Sequence, residues 1–142
     1  MPMTARSAAV PTAKTTRAIY GALVSGMLLF ALVGYFVLRR SFADAGYLPA
    51  AVVPLLLGVC LAACAAALLL RRRIPKRATD ESADLFWAKA STPALLTWVP
   101  LEGASMFAVL LYALTGSSSA IGVAAVAIVL IVILNPRRLE RT

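Results

Sequence analysis

YLPAAVVPLLLGVCLAACAAALLL, residues Tyr47–Leu70, is a run of 24 residues without a charged side chain, and the basic stretch RRRIPKR follows it directly. About 20 apolar residues are enough to cross the hydrocarbon core of a bilayer as an α-helix. A helix that is apolar on every side suits lipid rather than water. The two stretches together predict a membrane-spanning helix that ends in a basic group at one face of the bilayer.

Three further segments share this apolar character, over Ala18–Leu38, Pro93–Leu114 and Ser118–Leu134. Glu102 is the only formally charged residue within the four segments. The chain of 142 residues is 61% hydrophobic and only 14% charged, whereas a soluble domain carries roughly 25% charged residues. We therefore predict an all-α, polytopic integral membrane protein, a bundle of four transmembrane helices over residues 18–38, 47–70, 93–114 and 118–134.

The bounds of the four segments also define the predicted tails and the predicted loop of the chain. Residues 1–17 are rich in Ala, Thr and Pro and are predicted as a disordered tail. The membrane domain takes in residues 18–134, with a loop over 71–92 between the second and third helices. Residues 135–142 are predicted as a short basic tail.

The loop over 71–92 has two features of predicted structure. Its stretch DESADLFW, at residues 80–87, mixes acids with Leu85, Phe86 and Trp87. This stretch predicts a short interfacial helix whose bulky side chains enter lipid. Thr92-Pro93 is typical of a helix start, with threonine as the N-cap and proline in the first turn. The third helix is therefore predicted to begin at Pro93.

Lysine and arginine determine the predicted orientation, because cytoplasmic loops carry an excess of these residues. The two tails hold three each and the middle loop holds six, against only Arg39 and Arg40 on the other side. Both termini are therefore predicted to be cytoplasmic, in a bacterial inner membrane. Anionic lipid head groups are the predicted partners of the densest basic cluster, which consists of Arg71, Arg72, Arg73, Lys76 and Arg77.

The chain lacks the residues that most enzymes and metal sites use. It has no histidine, and its two cysteines, Cys60 and Cys64, lie inside the second segment without a third or fourth ligand nearby. No nucleophile–base pair or phosphate-binding loop is present in the sequence. We expect a protein that is not an enzyme and that holds no metal or cofactor. Membrane topology explains the net charge of +8 better than nucleic-acid binding does.

Small residues four positions apart mark the predicted contact faces of the helices. Lipid removes the hydrophobic drive between helices, so that close approach of their backbones becomes important. The predicted packing positions are Gly21, Ser25, Gly26, Gly34, Gly58, Ala62, Gly103 and Gly122. Contacts within one chain are favoured, and contacts between copies in a homo-oligomer are the alternative.

Pro100, Glu102 and Ser105 form the candidate polar site of the third helix. Pro100 removes one backbone hydrogen bond, and an acid within a membrane span is a functional candidate by default. As a functional site, Glu102 would titrate in a proton or cation site, with the Ser105 hydroxyl beside it. As a structural group, Glu102 would form a hydrogen bond with Ser25, Tyr20 or a freed carbonyl. The structural role is favoured, because no second acid or basic partner lies in any span.

The stretches EGASMF (Glu102–Phe107) and LTG (Leu114–Gly116), in a tight two-helix hairpin, resemble small bacterial four-span membrane proteins. The hairpin also resembles the proteolipid subunits of rotary ATPases, in which a membrane carboxylate carries protons. In those subunits the acid lies on the outgoing helix, whereas Glu102 lies on the incoming one, and their glycine repeat is missing here. Proton translocation is therefore not transferred to Glu102.

The absence of a polar path and the many small-residue faces favour a non-catalytic membrane protein. The predicted function is that of an accessory, assembly or scaffold component of a larger membrane system. The alternative is a small transporter, a channel subunit or a proton-coupled component that uses Glu102.

Overall fold

The structure, a computed structural model, describes residues 11–42, 48–49 and 51–140. This part of the chain is α-helical and contains no strand, which confirms the all-α part of the predicted fold class. Its helices are α1 (Ala13–Ser41), α2 (Val52–Arg71), α3 (Ala83–Thr115), α4 (Ser118–Ile133) and α5 (Pro136–Leu139). Tyr47, where the second span is predicted to begin, and residues 1–10 and 141–142 of the tails lie outside the described residues.

Three helices in the described part of the chain, α1, α2 and α3, are long and apolar enough to cross a membrane. The shorter apolar helix α4 has 16 residues. These three helices support the prediction of a membrane protein with transmembrane helices.

Helix α3 is the centre of the fold. It packs against α1, α2 and α4, whereas α1 and α2 contact α3 rather than each other. Half of the most apolar part of α3 is buried, against 11% of the corresponding part of α1. Helices α1, α2 and α4 are therefore arranged around α3, with the outer faces of α1 and α2 left uncovered.

The predicted start of the third helix at Thr92-Pro93 is wrong, because α3 already begins at Ala83. The Ser82 hydroxyl accepts a hydrogen bond from the Leu85 backbone N–H at 3.3 Å and caps the helix. Both prolines, Pro93 and Pro100, lie inside the helix. A proline in a helix interior costs about 3 kcal/mol or more, and the buried side chains on both sides of Pro93 compensate for this loss.

The predicted interfacial helix is also wrong for two of its three bulky residues. Phe86 and Trp87 are buried in the first turn of α3, and only Leu85 is exposed. The connection between α2 and α3 is accordingly shorter than the predicted loop over 71–92.

Parts of the two predicted tails are helical in the described residues. Helix α1 begins at Ala13, where the Thr12 side chain accepts a hydrogen bond from Thr15 N–H, so that residues 13–17 are helical. The C-terminal segment forms the short helix α5, and its Pro136 and Leu139 are buried. Both of these described segments contact the start of α3, where the Ala13 N–H donates to Asp84 at 2.8 Å and the Trp87 indole donates to Glu140.

The bundle has two ends of different composition. The basic end comprises the starts of α1 and α3, the ends of α2 and α4, and α5. At the opposite, hairpin end, Gly116 (φ 69°) ends α3 in the left-handed conformation, and its N–H donates to the Tyr112 carbonyl at 2.8 Å. The Arg39 guanidinium lies against Gly116, with Cζ 2.8 Å from where a Cβ would be, and the positive φ disfavours any side chain at this position. A cation at this C-terminal helix end is electrostatically favourable.

Candidate functional site

Glu140 lies at the centre of a polar cluster at the basic end. The Arg17 guanidinium donates to both carboxylate oxygens of Glu140, at 2.8 Å to Oε1 and 2.6 Å to Oε2. The indole Nε1–H of Trp87 donates to Oε1 at 2.7 Å. The Trp87 side chain is fully buried, and Glu140 has only 11% of its side chain exposed. The carboxylate of Glu140, the residue that follows α5, therefore connects the C-terminal segment to α1 and α3.

Aromatic rings extend this cluster into the bundle. Tyr20 and Trp98 pack edge to face, with ring centroids 5.2 Å apart, and the Trp87 and Trp98 rings lie 6.2 Å apart. The Trp98 Nε1–H donates to the Leu134 carbonyl at 3.1 Å, and the Tyr20 hydroxyl donates to the Ile131 carbonyl at 3.0 Å. These two bonds satisfy carbonyls in the last turn of α4, which otherwise lack partners within the helix. We call Arg17, Tyr20, Trp87, Trp98 and Glu140 the aromatic–carboxylate cluster.

Charge and burial act in opposite directions on Glu140. Burial raises the pKa of its carboxyl group, but the hydrogen bonds from Arg17 and Trp87 and the charge of Arg17 lower the pKa by more. The net pKa lies below the ordinary value, so that Glu140 is ionised at neutral pH. Both oxygens of this carboxylate accept hydrogen bonds, so that the cluster links chain segments that are distant in sequence.

Glu102 has a different environment, in the middle of the bundle. It is half-buried on the side of α3 that faces α1, and a Cβ placed on Gly26 would lie 3.9 Å from Glu102 Oε1. No residue in the described ranges donates a hydrogen bond to this carboxyl group. The predicted hydrogen bond to Tyr20 is wrong, because the Tyr20 hydroxyl bonds to Ile131, and Ser25 is exposed.

Pro100 and Ser105, the other two residues of the candidate polar site, form no polar contact with Glu102. Pro100 lies on the α2 side of α3 and lines a shallow apolar groove with Cys60 and Ala63. Ser105 is fully buried, and its hydroxyl has no hydrogen-bond partner among the described residues. The structure therefore separates Pro100 from Glu102 and leaves two polar side chains of α3 without a bonded neighbour.

The predicted packing glycines divide into two groups. Gly34 is buried so closely against Val109 that an added Cβ would overlap the Val109 side chain, and Gly26 faces Glu102 and Met106. The remaining predicted packing positions lie on exposed faces and are Gly21, Ser25, Gly58, Ala62, Gly103 and Gly122. No atom lies within 4 Å of a Cβ added to any of the four glycines among them. For these positions the prediction of contacts within one chain is wrong, and the alternative of contacts with another chain stays a prediction.

Sequence reasoning missed the aromatic–carboxylate cluster. Trp87 and Trp98 are eleven residues apart, which is three helical turns and puts both on one face. That spacing would have been informative if residues 83–115 had been predicted as one helix. Glu140 gave no such indication, because an acid in a basic tail is usually a solvated residue.

Comparison with protein-family models, with curated proteins and with solved structures finds no match to this chain. Its function therefore has to be argued from the residues and contacts described above.

Proposed function

We propose that the protein crosses a bacterial inner membrane four times, with both termini in the cytoplasm. Two contacts support a fourth span: Arg17 near the start of α1 bonds to Glu140 beyond α4, and Arg39 near the end of α1 adjoins Gly116 before α4. Helix α4 thus extends between the two ends of the bundle, over about 24 Å for 16 residues. The excess of lysine and arginine at the basic end supports its cytoplasmic side.

Within that membrane, we propose that the protein is a non-catalytic accessory, assembly or scaffold component of a larger membrane system. The observation that carries this proposal is the uncovered face of α2 formed by Gly58, Ala62 and Ala66. These three small residues are four positions apart and exposed, so that another helix could approach the α2 backbone closely. We call them the α2 small face.

The interior of the bundle supports the same class of function. The fully buried polar side chains in the described part of the chain are Thr16, Ser91, Thr97 and Ser105, which offer hydroxyl groups only. The only charged side chain near the middle of the bundle, that of Glu102, has no described ion-pair partner. A transport path would be expected to contain several polar groups in sequence along the membrane normal.

Replacing Ala62 with leucine is expected to remove a helical partner from the α2 small face, because the larger side chain keeps the two backbones apart. Tagged wild-type protein and the A62L variant would be isolated from native membranes in mild detergent, each with a photo-crosslinker at the exposed position 55, which lies on the same face of α2 and leaves Ala62 unmodified in the wild type. We expect a polypeptide crosslink from position 55 in the wild type, and loss of most of that co-isolated polypeptide from A62L.

The matched control is Ala125→Leu, the same change on an exposed face of α4. It is expected to leave the co-isolated polypeptide unchanged. Crosslinks from position 55 to lipid alone, or equal losses in both variants, would contradict the proposal. A crosslink to a second copy of the chain would identify the partner as a homo-oligomer.

The second candidate function is that of a small transporter, channel subunit or proton-coupled component that uses Glu102. The observation that favours it is the half-buried Glu102 carboxyl group without a described hydrogen-bond partner. The fully buried, unpaired Ser105 hydroxyl lies one helical turn further along α3. A carboxyl group in this position has both of its oxygens available to an ion or a proton.

Glu102→Gln and Glu102→Ala separate the two candidates. In the accessory protein, both variants are expected to accumulate in the membrane at wild-type levels and to keep the partner, because Glu102 holds nothing together. In a proton-coupled protein, E102Q is expected to be as abundant as wild type but to lose proton flux in vesicles with an imposed pH gradient. Membrane abundance and flux would be measured on the same preparations, and loss of flux in E102Q at wild-type abundance would reject the accessory role.

A further inference from the structure

A groove at the basic end combines cations with apolar side chains. It has a volume of about 400 Å³ and lies between the last turn of α2, the connection after it and α5. Three of its lining residues, Arg71, Arg72 and Lys76, are cationic, while Leu68 and Leu139 provide apolar surface. We infer that this groove is a specific binding site for one anionic phospholipid, whose phosphate contacts the three cations and whose acyl chain begins along Leu68.

The cations are not needed to cap α2. Three backbone N–H groups, each three residues further along the chain than its acceptor, donate to the carbonyls of Leu69, Leu70 and Arg71, at 2.9 to 3.1 Å. These bonds satisfy carbonyls that a helix end otherwise leaves open. The side chains of Arg71 and Arg72 are therefore available to a ligand outside the helix, and arginine matches phosphate oxygens in geometry and charge.

The described carboxylates do not neutralise this group of cations. The two ion pairs in the described part of the chain join Arg17 to Glu140 and Lys89 to Glu81. Glu81 and Asp80 line a neighbouring groove that shares Lys76. The charge of the lipid groove is thus set mainly by Arg71 and Arg72, and it complements a phosphate group.

The apolar part of the groove favours a lipid over a soluble phosphate. Leu68 is exposed one turn before the end of α2. It therefore lies on the hydrocarbon side of the arginines that end the helix. Leu139 is almost fully buried and closes the groove from the side of α5. A phospholipid positions its phosphate at the membrane surface and its chain just below, which is the order of polar and apolar groups found here.

The inference also divides the predicted basic cluster into two parts. Arg73 does not line the groove, and the Arg77 guanidinium donates to the Glu81 carbonyl at 2.9 Å. A diffuse attraction to anionic lipid would use all five cations alike. A specific site requires Arg71 and Arg72 and tolerates the loss of Arg73.

The test measures the binding of phosphatidylglycerol and phosphatidylcholine with identical chains to the full chain in mild detergent, by native mass spectrometry. Wild-type protein is expected to retain one phosphatidylglycerol in preference to phosphatidylcholine. The variant with both Arg71→Gln and Arg72→Gln is expected to bind phosphatidylglycerol about 30-fold more weakly. The matched control Arg73→Gln is expected to bind it within about twofold of wild type.

Several results would overturn the inference. A loss of about fivefold in R73Q, the same loss per charge as in the double variant, would indicate diffuse attraction, and equal retention of phosphatidylcholine would remove the role of charge. Displacement of the lipid by millimolar glycerol phosphate would indicate a site for a soluble phosphate. If the double variant unfolds, Lys76→Gln, outside every helix, is expected to weaken binding several-fold, and unchanged binding by K76Q would then count against the site. The inference depends on the membrane location alone, so its failure would leave the accessory role standing.

Discussion

Replacing Glu140 with alanine is expected to lower the free energy of unfolding by about 2–3 kcal/mol. The main reason is the buried Trp87 indole, whose N–H donates to Glu140 at 2.7 Å and would be left without an acceptor. A buried donor without a partner costs about 1–3 kcal/mol. The Arg17 guanidinium adds little, because 45% of its side chain is exposed to solvent. Reversible unfolding in mixed micelles, followed by tryptophan fluorescence, measures the change.

Two variants test whether the loss comes from the Trp87 hydrogen bond. Glu140→Gln keeps an oxygen that accepts from Trp87 and should lose clearly less stability than E140A. Glu81→Gln removes the other ion-paired carboxylate, whose partner Lys89 is 69% exposed, and should change stability by less than about 0.5 kcal/mol. If E140A and E81Q were equally mild, the aromatic–carboxylate cluster would not hold the basic end together.

Acid titration provides an independent measurement of the same contact. Because the folded-state pKa of Glu140 lies below its ordinary value, its contribution to stability is present at neutral pH. This contribution is lost as the pH falls from the unfolded-state pKa, about 4.3, through the folded-state pKa. Wild-type protein should therefore lose more stability than E140Q over this acidic range, and parallel curves for the two proteins would contradict the assignment.

Replacing Gly34 with leucine is expected to destabilise the protein by about 3 kcal/mol. A Cβ at position 34 would overlap the side chain of Val109, so the added atoms can be accommodated only if α1 moves away from α3. Gly34 is also the first residue of the π-helical turn Gly34–Leu38, and its carbonyl accepts a hydrogen bond from the N–H of Arg39, which follows the turn. The shift of α1 would therefore also disturb Arg39 at the hairpin end. Reversible unfolding in mixed micelles measures the loss of stability in G34L.

The chain offers a matched control on the same helix. Gly21 has no atom within 4 Å of an added Cβ, so G21L should leave stability unchanged or raise it slightly through helix propensity. Adding Val109→Ala to G34L should recover part of the lost stability, because it removes the side chain that the leucine meets. Equal stability of G34L and G21L would show that the close approach of α1 and α3 is not required.

Sequence patterns predicted the helical class and most of each apolar helix. A segment that suits lipid has to be apolar along its whole length, so that composition alone is enough to identify it. They failed at the start of α3, where Thr92-Pro93 is typical of a helix start. Local preferences at that point are outweighed by the burial of Phe86 and Trp87, and burial depends on partners that are distant in the sequence. Segments whose structure depends on such partners are those that local patterns predict least well.

The candidate site shows the same division. Glu102 stood out as the only charged residue of the four predicted spans, and the structure indeed leaves its carboxyl group half-buried beside Gly26. Small-residue spacing identified Gly34 correctly, but it could not distinguish Gly34 from Gly21, because the same spacing occurs on faces that no other helix of the chain covers.

Residue composition and order are sufficient to indicate that this chain is helical, that it suits a membrane and that its cations lie at the ends of its apolar segments. These properties follow from residue type and from distances along the chain. The tertiary structure alone decided that α3 is the central helix and that Glu140 joins Arg17 to Trp87. Arg17 and Glu140 are 123 positions apart, and a contact over such a distance depends on how whole helices pack, which no local pattern contains.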